Sequence, residues 1–259
     1  MLSRRGFSSG LAGVFDAGLT EAAFAQRAAV PGAARPIMVW LNGNEYPEVP
    51  PQASIEAMAR VIASSNHYHY QEFPAFYSAR AASQGLNAEQ ILVGAGSSEV
   101  LHAAVEAFTS PSKPLITSWP TYEAAPELTK AKGHALAKIP LTPTKCADVH
   151  RLVEEAEKAG GGLIYWYNPN NPASTMTGSS DLTWLVDHLP ANTLLLVDEA
   201  YLHYATAPDA STAIPFVKDN KSVIVARTFR RFTRWRPACG LRRSTAGSDL
   251  THGAIPQPT

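Results

Sequence analysis

Between residues 91 and 226, short apolar runs alternate with helical stretches, and all but the last run stop at a loop containing glycine, proline, asparagine or acid. Six segments read as buried strands: 91–93, 115–117, 135–139, 163–167, 194–197 and 222–226. Four stretches between them read as helices: 97–108, 121–132, 148–159 and 181–189. In the first of these, Val100, Leu101, Ala104, Val105 and Phe108 share one face at helical spacing. Asp148 is placed to cap the third, and Gly160-Gly161-Gly162 to end it. Strands separated by helices need crossover connections. The chain is therefore expected to form an α/β three-layer sandwich, with helices on both faces of a mostly parallel sheet. Ligands of such sheets bind beyond the carboxyl ends of the strands.

Composition supports a large core. Of 259 residues 45% are hydrophobic and 17% charged, which excludes a disordered chain or a disulfide-stapled miniprotein. Lys+Arg 22 balance Asp+Glu 22, so net charge points to neither nucleic acid nor an anionic membrane. No run approaches the roughly 18 apolar residues of a membrane span. Cys146 and Cys239 lie far apart without metal-ligand spacing, so no metal site is expected. The balance hides one anomaly: residues 227–243 hold seven arginines and no acid. Without them the chain has 15 basic against 22 acidic residues, and no lysine follows Lys221.

The first residues, Met1-Leu2-Ser3-Arg4-Arg5-Gly6-Phe7, resemble a twin-arginine export signal. A Gly/Ala-rich stretch and Ala23-Phe24-Ala25, an A-x-A cleavage pattern, follow in the expected order. Asp16 and Glu21 interrupt the apolar region and leave the alternative of an Ala-rich leader on a cytoplasmic protein. Residues 1–35 are read as the leader and periplasmic export as its consequence, with the folded part starting near Pro36.

The loops at the strand ends carry the chemistry. Gly94-Ala95-Gly96-Ser97-Ser98-Glu99 joins a strand to a helix, where free N–H groups and the positive dipole end suit a phosphate. A dinucleotide fingerprint needs a third glycine, and Glu99 holds that place; a P-loop needs Gly-Lys-Ser/Thr, which occurs nowhere. A plain capped helix with Ser97 as N-cap is the structural alternative. Leu194 to Glu199 has the look of a Walker B strand, but without a P-loop that reading fails. An aspartate ending a buried strand still needs a cation or a donor, and a protonated pyridine nitrogen would serve. Pro120-Thr121-Tyr122, Asn168-Pro169-Asn170-Asn171-Pro172 and Asp198-Glu199-Ala200-Tyr201 complete an ordered set, each after a strand.

In that order the four motifs resemble the fold-type I pyridoxal-phosphate aminotransferases (class I/II), most closely the histidinol-phosphate aminotransferase-like branch. Leu41-Asn42-Gly43-Asn44-Glu45-Tyr46-Pro47 is similar to the branch's L-N-x-N-E-x-P segment, and Asn66-His67-Tyr68 to its N-R-Y, with His67 replacing arginine. The resemblance implies pyridoxal 5'-phosphate as cofactor, held at its phosphate by Gly96, Ser97 and Ser98. It implies Tyr122 stacked on the pyridine ring, Asn171 and Tyr201 on the phenolic oxygen, and Asp198 on the pyridinium nitrogen. It implies a homodimer in which Tyr68 reaches the partner subunit's cofactor phosphate, with amino acid and 2-oxo acid substrates. Residues 36–66 are then an N-terminal segment and 67–229 part of the large domain. Ala173-Ser174 replaces the family's Thr-Gly after Asn171-Pro172, a departure in the turn.

The family next requires T-x-S-K, whose lysine forms the Schiff base with the cofactor. Here Arg227-Thr228-Phe229 is followed by Arg230-Arg231, so Arg231 occupies the lysine position. A guanidinium stays protonated and cannot form an imine. For one choice of codons, a single base inserted after codon 229 turns the following residues into Ser-Lys-Ile-Tyr-Ala-Met-Ala-Ala-Gly-Leu-Arg. That restores the family's S-K, M-A and G-L-R together. The expectation is a frameshift, with residues 230–259 an out-of-frame, disordered tail and the C-terminal small domain missing. The predicted function is aminotransfer by descent, impaired in this chain. The alternatives are a phospho-amino-acid decarboxylase of the same fold and a non-catalytic cofactor-binding relic.

Overall fold

A computed structural model of the chain describes residues 44, 49–219 and 221–229. Every element below belongs to the unit Tyr46–Thr259. The expected leader 1–35, most of segment 41–47, Arg231 and the tail 230–259 lie outside the described residues.

Helices α1 (Gln52–Val61) and α2 (Phe73–Ala82) precede the alternating region. There follow α3 (Ser97–Phe108), β1 (Leu115–Trp119), α4 (Ala124–Ala131), β2 (Leu136–Pro140), α5 (Val149–Lys158) and β3 (Gly162–Tyr167). The last are α6 (Ser179–Asp187), β4 (Thr193–Asp198), α7 (Ile214–Lys218) and β5 (Val223–Ala226). The strands form one sheet in the order β2-β1-β3-β4-β5, every pair parallel. In register, Tyr165 pairs with Leu196 and Tyr167 with Asp198.

Side chains alternate across a strand, so one sheet feeds two cores. Ile116, Ile164, Trp166, Leu195, Val197 and Val223 face α5 and α6, packing on Leu152, Val153, Leu182 and Leu185. Leu115, Leu163, Tyr165, Tyr167, Leu196 and Ala226 pack on Leu101, Ala104 and Val105 of α3 and Ala125 of α4. The expected three-layer α/β architecture is present. Asp148 caps α5 as expected, its carboxylate accepting the Arg151 amide at 3.1 Å. After α5, a Cβ on Gly161 (φ +119°) would stand 2.6 Å from the Asn192 carbonyl oxygen, which explains the glycine there.

Three expectations and one alternative are corrected. Residues 91–93 form no strand: the segment is extended, but Leu92 is 72% exposed. A strand needs a neighbour's hydrogen bonds, and among the described residues β5 is an edge with none on its far side. A groove of about 820 Å³, lined by Ile91, Leu92, Val93, Val100, Ala104 and Val225, separates the segment from that edge. The N-cap of α3 is Gly96, not Ser97, because the backbone turns through φ +85° there. The helix read at 121–132 starts only at Ala124, since Thr121 is hydrogen-bonded to the neighbouring loop. The helix read at 181–189 spans Ser179–Asp187. Helices α1, α2 and α7 were not anticipated; α1 buries none of its residues. Among the described residues no helix is long and apolar enough to cross a membrane.

Candidate active site

The site gathers at the carboxyl ends of β1, β3 and β4 and at the start of α3. The Gly94-Ala95-Gly96 turn is held by the Glu99 carboxylate, which reaches back to accept the Ala95 amide. A Cβ on Gly94 would stand 3.0 Å from that carboxylate. The α3 N-terminus has no side-chain cap, and neither the Ser97 nor the Ser98 hydroxyl is engaged among the described residues. Uncapped first-turn amides, two hydroxyls and a positive helix end form a donor set that suits a phosphate.

Asp198 ends β4 and is 1% exposed. Its Oδ1 accepts the Ala200 amide at 3.0 Å, and its Oδ2 accepts the Tyr165 hydroxyl at 3.2 Å. Burial, and then the Asp198 charge, push the Tyr165 hydroxyl well above the ordinary tyrosine value, so it stays protonated and donates. Around this carboxylate stand aromatic rings. Tyr167 stacks on Tyr201 with centroids 5.7 Å apart and meets Tyr122 edge-on at 5.9 Å. The structure therefore brings Tyr122, Asp198 and Tyr201 into one cluster.

Two asparagines shape the neighbouring loop. Asn168 accepts the Thr177 amide and donates to the Thr177 carbonyl, both at 2.9 Å. Asn170 accepts the Thr121 hydroxyl at 2.9 Å and donates to the Pro120 carbonyl at 3.0 Å. The second pair ties the Pro120-Thr121-Tyr122 turn to the loop bearing Asn171. The half-buried Asn171 makes no hydrogen bond of its own among the described residues. Its amide remains available to a ligand.

Behind Asp198, Glu199 is as buried as its neighbour. One oxygen accepts the Ala213 amide at 2.6 Å; the other accepts Thr212 and the Arg227 guanidinium, at 2.9 Å from Nε and 2.7 Å from Nη2. Arg227 also donates to Gln84 at 2.7 Å, linking the ends of β4 and β5 to the residues after α2. Burial and then the Arg227 charge push the His203 imidazole below its ordinary value.

Tyr68 is not part of this cluster. It is 78% exposed and stacks on Tyr70 at 5.1 Å. Sequence reasoning missed Tyr165, Tyr167, Asn170 and the Glu199–Arg227 pair. The signal for the tyrosines was present: Leu163, Tyr165 and Tyr167 alternate along a strand, so the two tyrosines share a face that points to the strand end. The assembled donors fit pyridoxal 5'-phosphate. There is an anion cradle, a buried carboxylate for a protonated ring nitrogen, an aromatic wall and a free amide.

The family model for class I and II aminotransferases matches residues 36–230, well over half of the chain. The aromatic amino acid aminotransferase of Streptomyces avermitilis is 29% identical over 225 residues, covering 86% of this chain and 60% of that one. The histidinol-phosphate aminotransferase of Jannaschia is 31% identical over 196 residues, covering 74% and 52%. Among solved structures, the histidinol-phosphate aminotransferase of Sinorhizobium meliloti in complex with pyridoxal 5'-phosphate aligns with TM-score 0.65 and 26% identity, over 70% of this chain and 49% of that one. The chain thus spans between half and three-fifths of the length of these curated relatives. By the family match and the fold, the chain belongs to the class I and II aminotransferases, a pyridoxal-phosphate-dependent family.

Proposed function

We propose that the chain carries the cofactor-binding core of a pyridoxal-phosphate aminotransferase, which moves an amino group between an amino acid and a 2-oxo acid. The observation that carries this reading is the Asp198 carboxylate, buried at a strand end and walled by Tyr122, Tyr167 and Tyr201. The bound cofactor supplies an electron sink for the substrate's α-carbon. The residues of this chain bind and orient it. The first-turn amides of α3, with Ser97 and Ser98, take the phosphate, and Gly96 permits close approach. Tyr122 covers the ring, Asn171 and Tyr201 hold the phenolic oxygen, and Asp198 keeps a proton on the ring nitrogen. Arg231 stands where the family has its lysine, so residue 231 neither forms an imine nor moves a proton. The chain as it stands binds the cofactor non-covalently and turns over negligibly.

Transamination is preferred to decarboxylation because the curated relatives are aminotransferases. A one-base frameshift near codon 230 accounts for Arg231 and the arginine-rich stretch together; sequencing the DNA across codons 225–245 tests it. Residues 1–35 direct export to the periplasm, and replacing Arg4 and Arg5 by lysine should retain a fused reporter in the cytoplasm. The chain pairs as a homodimer through its N-terminal part. Exposed Ile55, Met58, Ile62 and Tyr68 support that reading, and sedimentation of wild type against Met58→Asp tests it. The reading as a whole is tested by borohydride reduction after loading with pyridoxal 5'-phosphate. Saturable binding with no adduct in the segment around residue 231 is expected. A stoichiometric adduct there, or normal transamination, would overturn it.

A further inference from the structure

Two hydrogen bonds that reach Asp198 from described residues differ in kind. The Ala200 amide belongs to the turn that follows β4, and any residue at 200 other than proline would supply it. The Tyr165 hydroxyl comes from a neighbouring strand, through a side chain with no exposed surface. Burying a hydroxyl has a cost unless it finds a partner, and the apolar core around it asks only for a ring. Phenylalanine would fill the same space. What tyrosine adds is one donor aimed at Asp198 Oδ2.

We infer that Tyr165 is a positioning residue for the ring nitrogen of the cofactor: its hydroxyl holds the Asp198 carboxylate ionised and fixed in orientation. The inference rests on the cofactor reading given above. A hydrogen bond donated to the charged form of a carboxylate lowers its proton affinity. When carboxylate and ring nitrogen share a proton, a lower affinity at oxygen leaves the proton on nitrogen. The donor keeps its own proton, since burial and the Asp198 charge both oppose ionisation of Tyr165. The neighbouring carboxylate, Glu199, is committed to Arg227, Thr212 and the Ala213 amide. At 3.2 Å the contact is longer than a tight charge-assisted bond, so the effect belongs at the small end of its range.

The test is a double-mutant cycle on the full chain: wild type, Y165F, D198N and Y165F/D198N, each titrated with pyridoxal 5'-phosphate. Thermal melts confirm that each variant folds. Y165F should weaken binding about tenfold when Asp198 is present, the scale of one hydrogen bond to a charged group. In the D198N background the same change should cost less than about twofold, because the ionised carboxylate it acts through is replaced by a neutral amide. With cofactor labelled by 15N in the ring, the nitrogen resonance should move towards its unprotonated position in Y165F. A merely structural tyrosine would lower affinity equally in both backgrounds and leave the resonance in place, and that result overturns the inference. So does wild-type affinity in Y165F. Failure of wild type to bind the cofactor at all would overturn the cofactor reading, and the inference with it. That outcome is distinct from one in which wild type and Y165F bind alike.

Discussion

The two faces of the sheet are built from the same five strands and have different characters. Against α5 and α6 the buried hydrophobic side chains of the strands are aliphatic apart from Trp166, and the face is a packed core that also buries Ser118 and Thr193. Against α3 and α4 the face begins with Leu115 and Leu163. It turns polar towards the carboxyl ends, where Tyr165, Tyr167 and Asp198 follow. A step of one residue along β3 or β4 moves a side chain from one face to the other. One face therefore stabilises the fold while the other holds a buried carboxylate within the same hydrogen-bonded framework.

The sharpest break in that division is expected at Glu199, adjacent to Asp198 yet paired with Arg227 rather than turned to the site. Glu199→Ala should cost about 3–5 kcal/mol in denaturant unfolding, because it leaves a largely buried guanidinium without its partner. Leu152→Ala, on the apolar face, should cost about 2–5 kcal/mol by opening a cavity. It should leave cofactor affinity of the folded protein unchanged; a parallel loss of affinity would mean the faces are not separable. Asn170→Ala should cost about 1–3 kcal/mol, since the Thr121 hydroxyl and the Pro120 carbonyl lose their partner. It should also weaken cofactor binding through the loosened Tyr122 turn, which isothermal titration would read.

The smallest effect is a pH dependence that belongs to one face alone. The folded-state pKa of Tyr165 lies above the ordinary value of 10.0, so the fold favours its protonated form. That contribution is complete below the unfolded value and is lost as pH rises above it towards the folded one. Wild type should therefore lose stability above about pH 10 more steeply than Y165F, as followed by chemical denaturation at several alkaline pH values. Equal slopes would place the alkaline sensitivity elsewhere.

Much of this arrangement was legible in the residues. β3 and β4 announce themselves as uninterrupted apolar runs ending in Asn-Pro and Asp-Glu, and Asp148 and the glycine triplet mark the two ends of α5. The segment 91–93 has the composition of a strand but lacks hydrogen-bonding neighbours among the described residues, which composition cannot reveal. α2 was missed because its apolar residues carry little helical period, whereas along α1 and its C-cap Ile55, Met58 and Ile62 do recur at helical spacing and went unread because they precede the alternating region. In the site, residues named by motif were found at strand ends, whereas those that hold them in place were not. Tyr165 acts across a parallel register, and Glu199 and Arg227 meet from positions 28 residues apart, so both depend on tertiary pairing. Such contacts are read from a sheet order rather than from a spacing.

The measurement that tests the account most directly is equilibrium binding of pyridoxal 5'-phosphate to wild type and to D198N. The account predicts saturable binding by wild type and at least about tenfold weaker binding by D198N, since a buried charged partner of the ring nitrogen is lost. Equal binding by the two proteins, or none by wild type, would contradict it.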